Sequence, residues 1–399
     1  MEVAILVTDT STPVEIQISS HTGIEPIAAQ WDAFVPRDVP HLRSGFVRAV
    51  ERAGMLQDIT YLIATRQGAV AGVAVAYTLP LDTVASAPPA VRKVVEKVRS
   101  VLPKFLWKPM RICGSPISNA DSGVHIAADL PPADQRAVFR KLAEEIVHSG
   151  GMDKTYFFKE FDPPSVEAFA NELEQEGFFA NDPWSGTRLD IVWPTFDDYL
   201  AALRKKYRKR IRQEIDLAKS IDLQVLDSFA EVAPEVARLY DQVFARADFV
   251  LERANAEFFA AVSDFDQSRL TVARDRETGE LLGANLLLFG DTVMHNLYIG
   301  FDYAKNEKFH TYFNLVIHSL KTAIERGIKV GFFGQDSYEF KARLGARPFP
   351  LAAYMKHRLW PVHAMLKANK DVFFPPNEPV THDVFQATGA AAADDGQPD

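Results

Sequence analysis

The 399-residue chain is poor in several things, and each shortage excludes something. It has one cysteine, Cys113, so no intramolecular disulfide can form and no thiolate zinc cluster can be built; a reducing compartment is implied. No run approaches 18 apolar residues, so no membrane-spanning helix is expected, and the opening Met1-Glu2-Val3-Ala4-Ile5-Leu6 lacks the basic region of a secretory leader. Positive charge in bulk is lacking: the formal net charge is −9, which disfavours wholesale binding to nucleic acid. There is no Walker motif, no G-x-G-x-x-G, no G-x-S-x-G elbow and no H-E-x-x-H, so a serine hydrolase or zinc protease has no support. His310, Asn314 and His318 share a helix face at i, i+4 and i+8, but Glu307 is the nearby carboxylate, so no metal is expected. These absences point to a cytoplasmic protein, with peripheral contact at the inner membrane left open.

What is present is an ordinary globular composition, 47% hydrophobic and 24% charged, long enough for two domains with large cores. The pattern repeats. In the first half an apolar strand, Tyr61 to Thr65, turns at Arg66-Gln67-Gly68 and returns as Ala69 to Leu79. In the second, Leu270 to Ala273 turns and returns as Leu281 to Phe289. Met110 to Pro116 then sits where Met294 to Phe301 sits. Helix Arg136 to Ser149, strand Tyr156 to Phe158 and helix Val166 to Glu176 answer to Phe309–Arg326, Val330–Phe333 and Tyr338–Leu344. A spacing of roughly 170 to 210 residues fits a duplicated domain rather than a solenoid, whose periods run roughly 20 to 50 residues. The expected division is 1–183, 184–372 and a disordered tail at 373–399, whose last stretch is alanine-rich and acidic.

Two segments depart from the repeat. Residues 80–108 form an insertion with Val91, Val94, Val95, Val98, Leu102 and Leu106 at helical spacing among lysines and arginines, closing on Phe105 and Trp107. A basic amphipathic helix with terminal aromatics reads either as membrane-interface seeking or as a plain surface helix. The helix Asp197 to Ala218 crowds Arg204, Lys205, Lys206, Arg208, Lys209, Arg210 and Arg212 around Tyr207. Cations on successive turns make an anion site for phosphates of a coenzyme, a tRNA end or a lipid head group; the plainer reading is a solvated face with Glu214 and Asp216 as partners.

The core stretch, Ser268 to Tyr354, reads as three meandering strands, a polar loop from Asp302 to Lys308, then helix, strand and helix. With the words Tyr298-Ile299-Gly300-Phe301-Asp302, His310-Thr311-Tyr312-Phe313-Asn314 and Tyr338 to Ala346, it resembles the Gcn5-related acyltransferase superfamily, in the branch shared with Fem-type aminoacyl transferases. The resemblance implies an α+β fold of two tandem domains, each a mixed sheet flanked by helices. It also implies an acyl-CoA co-substrate with no permanently bound cofactor. The loop Tyr303 to His310 contains no glycine, so the usual backbone cradle for a pyrophosphate is missing and a remodelled donor site is implied. On these words, Tyr298, His310, Tyr312 and Lys341 are the candidate catalytic residues. Tyr298 would serve as oxyanion or leaving-group donor, and His310 as general base because imidazole titrates near roughly 6.5. Asn296, Lys305, Lys308 and Asn314 are candidates for the donor. Arg204, Lys205, Arg208, Arg212, Asp336 and Tyr338 are candidates for substrate or anion contact. By the period of two, Asn296 and Tyr298 are expected on one side of their strand and His295 on the other.

The leading function is amide formation from an acyl thioester and a lipid amine, since the chain is similar to bacterial ceramide synthases, which acylate a sphingoid base. The alternatives are Fem-type transfer from charged tRNA to a peptidoglycan precursor, and a non-catalytic module for lipid or partner protein.

Overall fold

The computed structural model describes residues 15–82, 89–105, 107–149, 155–181, 185–246, 252–373 and 379–386. The first half runs β1 (Ile16–His21), α1 (Ala28–Phe34), α2 (Ser44–Arg52), β2 (Gln57–Arg66), β3 (Ala69–Asp82), α3 (Pro89–Arg99), β4 (Trp107–Cys113) and β5 (Val124–Ile126). It continues through α4 (Pro132–Ser149), β6 (Thr155–Phe161), α5 (Pro163–Gln175) and β7 (Phe179–Asn181). The second half runs β8 (Gly186–Asp190), α6 (Phe196–Ala202), α7 (Lys205–Leu217), β9 (Ile221–Leu226), α8 (Ala233–Phe244), α9 (Ala256–Val262), β10 (Ser268–Asp275), β11 (Leu281–Phe289) and β12 (Val293–Phe301). Then come α10 (Tyr303–Phe309), α11 (Thr311–Glu325), β13 (Val330–Gly334), α12 (Tyr338–Arg343), β14 (Arg347–Phe349), β15 (Ala352–His357), α13 (Trp360–Ala368) and α14 (Lys370–Phe373).

Two mixed sheets result, and the repeat is real. β4 pairs antiparallel with β3 and parallel with β6; β12 pairs antiparallel with β11 and parallel with β13. The first sheet is ordered β1-β2-β3-β4-β6-β15-β7, with β5 on β3, and the second β14-β8-β13-β12-β11-β10-β9. The sheets are not independent. β15, from the far end of the chain, inserts between β6 and β7 of the first sheet. The largest apolar cluster also takes residues from both halves, among them Phe46, Val50 and Met110 with Phe258, Phe259 and Leu286. That shared burial joins the halves, because apolar surface removed from water is the dominant favourable term.

The structure redraws several expected elements. The basic helix is two helices, broken at Leu203-Arg204, where Leu203 bridges to Phe385. Residues 379–386 therefore belong to the packed structure, with Val384 buried, although everything past 372 reads as tail in the sequence; 374–378 and 387–399 lie outside the described residues. The lead-in at 1–14, Pro88, Gly150-Gly151 and residues 182–184 of the 181–186 linker lie outside them too. The expected loop Asp302–Lys308 is largely the helix α10, capped by the Asp302 carboxylate on the Ala304 amide. α10 is separated from α11 by His310 in the left-handed region at φ 52°.

Candidate active site

In the second domain β12 and β13 pair only from Val293↔Val330 to His295↔Phe332, while β12 continues to Phe301 against β11 alone. The two strands part at Asn296. One residue further on, the β11 register slips: Leu287 faces Asn296 and Leu286 faces Tyr298, so Leu297 is the extra residue of a bulge. A bulge interrupts the ladder and leaves backbone groups unpaired. The bulge also overturns the period-two expectation. Leu286 and Leu287 belong to opposite core clusters, so Tyr298 lies on the face covered by α8 and α9, and Asn296 on the face of α11. Tyr298 packs 4.8 Å from Tyr240 and donates to the Glu252 carbonyl at 3.3 Å; burial raises its pKa. Gly300 lies so close to α8 that a Cβ there would meet the Tyr240 amide nitrogen at 2.5 Å, which ties the bulged strand to that helix.

The first domain reaches into this splay. After β4, the loop 114–123 crosses to the second domain. It closes on Gly123, at φ +70°, where a Cβ would strike the Gly114 carbonyl carbon at 2.2 Å. At its tip Asn119 donates to the Asn296 carbonyl at 3.0 Å, and its Oδ1 meets His295 Nδ1 at 2.9 Å. The Asn119 amide and Lys341 Nζ converge on Gly334, at the end of β13, lying 3.9 and 3.7 Å from the position of a Cβ there. Lys341, 3% exposed, pairs with Asp336 at 2.8 Å. Asn296 is buried, and its side-chain Nδ2 has no hydrogen-bond partner among the described residues.

A buried polar cluster flanks the junction. Lys159 and Glu252, one from each half, pair at 3.1 Å, and Tyr77 donates to the same carboxylate. Gln335 donates to Glu160, a residue at φ +60°, at 3.0 Å. Burial pushes the Asp121 carboxyl up to about 6 and raises Glu160. Burial also works against the Lys159 ammonium, but Glu252, Glu160 and Asp121 more than offset it and its pKa rises. His295 stacks on Phe332 and meets His41 edge-on at 4.4 Å; burial depresses both imidazoles, His295 to about 3.

The other candidates fall elsewhere. His310 lies where α10 meets α11, and its Nδ1 is 2.8 Å from Glu214 of α7. Asn314 is spent on backbone, donating to the Glu214 and His310 carbonyls. Glu214 lines an open depression of about 520 Å³ on α7 with Arg210, Gln213, Asp216 and Leu217. Tyr312 packs on Phe301 and Phe340, with burial raising its pKa. Lys305 pairs with Glu280, and Lys308 lies over the Phe309 ring. Arg204 pairs with Asp383, and Arg208 donates to the Ala201 carbonyl at 3.2 Å. Lys205 and Arg212 are exposed, and Tyr338 donates to the Ser185 carbonyl.

The structure thus brings Asn296, Asp336 and Lys341 together, and separates them from His310, Asn314 and the α7 cations. Sequence reading missed Asn119, Lys159, Glu160 and Glu252. Lys159-Glu160 had a signal, two charges inside the apolar strand Tyr156 to Phe161; Asn119 and Glu252 had none.

Residues 203–342 match the family model described as Acetyltransferase (GNAT) domain. Two curated proteins, both named putative 8-amino-7-oxononanoate synthase 2, from two strains of Mycobacterium tuberculosis, are 26% identical to this chain over 330 residues, covering 80% of it. The chain spans 42% of their length. Among solved structures, FemX covers 88% of this chain and all of its own at TM-score 0.57 and 11% identity. The C-terminal domain of a putative lysylphosphatidylglycerol synthetase from Agrobacterium fabrum covers 86% of this chain and 96% of its own at TM-score 0.52 and 10% identity. Residues 203–342 thus match a GNAT domain, and the chain as a whole shares the fold of FemX.

Proposed function

We propose that the second domain transfers an acyl group from acyl-CoA to the amine of a lipid, of the sphingoid-base type, at the splayed end of β12 and β13. The observation that carries this is the bulge at Leu297 beside the buried, unpartnered side-chain amide of Asn296, at the fork where Asn119 of the first domain meets the second. Backbone N–H groups freed by a bulge are donors for the oxyanion that forms when an amine attacks a thioester carbonyl. In that step a C–N bond forms, the C–S bond breaks, the ammonium proton leaves to a base and the thiolate takes a proton. Tyr298, whose hydroxyl stays protonated, is assigned to the leaving thiolate, and Lys341 with Asp336 to the polar rim of the site. His310, held by Glu214 at the start of α11, is assigned to the phosphate end of the donor rather than to proton removal, because the sheet stands between it and Tyr298.

The sphingoid-type acceptor is carried by the resemblance to bacterial ceramide synthases in the tandem architecture and the helix words of the second half. A second reading, aminoacyl transfer from charged tRNA, is favoured by the exposed Lys205, Lys206, Lys209, Arg210 and Arg212 of α7.

The test is mass spectrometry of products after the chain, in detergent, receives mixed acyl-CoAs and a pool of amines including a sphingoid base. An N-acylated long-chain base is expected, and Tyr298→Phe is expected to lower kcat with little change in KM. Product only with charged tRNA would transfer the assignment to aminoacyl chemistry; acyl-CoA binding without turnover would leave a non-catalytic module.

A further inference from the structure

The first sheet carries exposed aromatics at one end, and the register shows that they belong together. Leu79, Met110, Thr155 and His357 form one row across β3, β4, β6 and β15. Beyond that row three of the strands leave the sheet in the same direction. β4 is entered through Trp107, three residues before Met110, and β15 exits to Trp360, three residues after His357. β4 and β15 are two strands apart, so these tryptophans leave the sheet roughly 10 Å from each other. Trp107 is 40% exposed and Trp360 is 76% exposed; Leu359 beside Trp360, and Val101, Leu102 and Phe105 between α3 and β4, are exposed as well.

Charge is concentrated on the same two segments. Residues 89–108 and 351–370 hold ten lysines and arginines and one acid, Glu96, in a chain whose net charge is −9. Arg92, Lys93, Lys97, Lys104, Lys108 and Arg358 are exposed. The end of α3 is fixed in place: Arg99 forms two hydrogen bonds to Asp82, at 2.8 and 2.6 Å, and its guanidinium lies 5.4 Å from the Trp107 ring centre.

We propose that this end of the first sheet docks on an anionic lipid surface, with Trp107, Leu359 and Trp360 entering the interfacial layer and the cations facing the head groups. Tryptophan is suited to that layer because its ring is apolar and its N–H finds a polar partner there. Basic residues near a surface of anionic lipid add attraction that salt screens. A lipid surface takes both features at once, cations at the head groups and tryptophans in the layer beneath, whereas a protein partner is the outcome that the poly-glutamate arm below would mark. The surface stands apart from the acyl-transfer reading, since it is read by binding and not by turnover.

The experiment is flotation of the full chain with vesicles of phosphatidylcholine alone or with phosphatidylglycerol added, together with quenching of tryptophan fluorescence by brominated lipid. Flotation is expected with the anionic vesicles, weakening as salt rises, with quenching that falls in Trp360→Ala. The double variant Trp107→Ala/Trp360→Ala, with its circular dichroism unchanged, is expected to lower the partition coefficient roughly tenfold or more. Absence of flotation would overturn the proposal. So would a double variant that floats like the parent, or equal binding of both proteins to poly-glutamate with no preference for lipid; either result would mark a bare polyanion patch.

Discussion

β4 of the first domain and β12 of the second occupy the same place in the same fold, and they end differently. β4 pairs with β6 through Cys113↔Phe158 and then stops, its chain turning away at Gly114. β12 loses its parallel partner at His295 yet runs on to Phe301, bulged and one-sided. The chain freed after β4 is the loop 114–123, which acts as a plug, and the fork of β12 and β13 receives it. The two copies thus meet through Asn119 of the first, which touches both residues at the fork of the second.

Breaking the junction itself has the largest expected effect. Lys159→Met leaves Glu252 buried without its cation, and a loss of about 3–5 kcal/mol in unfolding free energy is expected, since a stranded buried charge is far worse than no pair. The double variant Lys159→Met/Glu252→Gln is expected to recover a large part of that loss in urea melts. If the double variant is worse than the single by the full amount of a second independent lesion, the two groups do not act as a pair.

Next is the plug. Gly123→Ala forces a Cβ into the Gly114 backbone at a positive φ, and about 2–4 kcal/mol of lost stability is expected, with loss of turnover because the loop can no longer present Asn119. Asn119→Ala separates the two consequences. It leaves the loop closed, with about 1–2 kcal/mol lost for the unsatisfied Asn296 carbonyl, while kcat is expected to fall roughly 10²-fold if the Asn119 bond sets the bulge geometry. Equal kcat in Asn119→Ala and the parent would reduce the plug to a packing device.

How much of this comparison could be read without coordinates depends on how local each cause is. The meander, its turns and the duplication were legible because alternating apolar residues and glycine turns are written residue by residue along the chain. The bulge at Leu297 was not: Asn296-Leu297-Tyr298 looks like plain alternation, and the extra residue shows only in the register against β11. β15 reads as the second domain's own strand, and its insertion beside β6 depends on a pairing nearly 200 residues away in sequence. His310 and Lys341 were both read as catalytic from their family words, and Asn314 as a donor contact, but His310 and Asn314 meet Glu214 of α7 while Lys341 lies at the fork. Asn119 follows a Gly-Ser-Pro break that announces only a loop.

The smallest effect sharpens the comparison through pH. His41 of the first domain and His295 of the second are both held well below the ordinary histidine range by burial, so the folded state binds fewer protons than the unfolded chain once pH falls below about 6.5. Stability from these two groups is intact above that pH and declines on acidification, down toward about 3 for His295, by about 1.4 kcal/mol per pH unit for each when fully engaged. Asp121 carries the opposite sign. Its pKa is raised to about 6, so between about 6 and the unfolded value near 4 the folded state holds an extra proton and gains stability as pH drops. Glu160, raised by burial, carries the same sign as Asp121, and His125 and His318, held low by burial, carry the sign of His41 and His295, so the contribution of one histidine is read as a difference between variant and parent. His41→Phe removes one loss while keeping a ring against Phe46 and His295, and it removes two nitrogens that have no partner among the described residues. At pH 7 the variant is expected to be within about 1 kcal/mol of the parent, because an unpartnered buried polar group contributes nothing that an apolar ring of similar shape would forfeit. Between pH 6 and 4.5 its unfolding free energy is expected to gain on the parent's by up to about 1.4 kcal/mol per pH unit. Parallel pH curves for the two proteins would show that protonation at this junction is not what acid breaks.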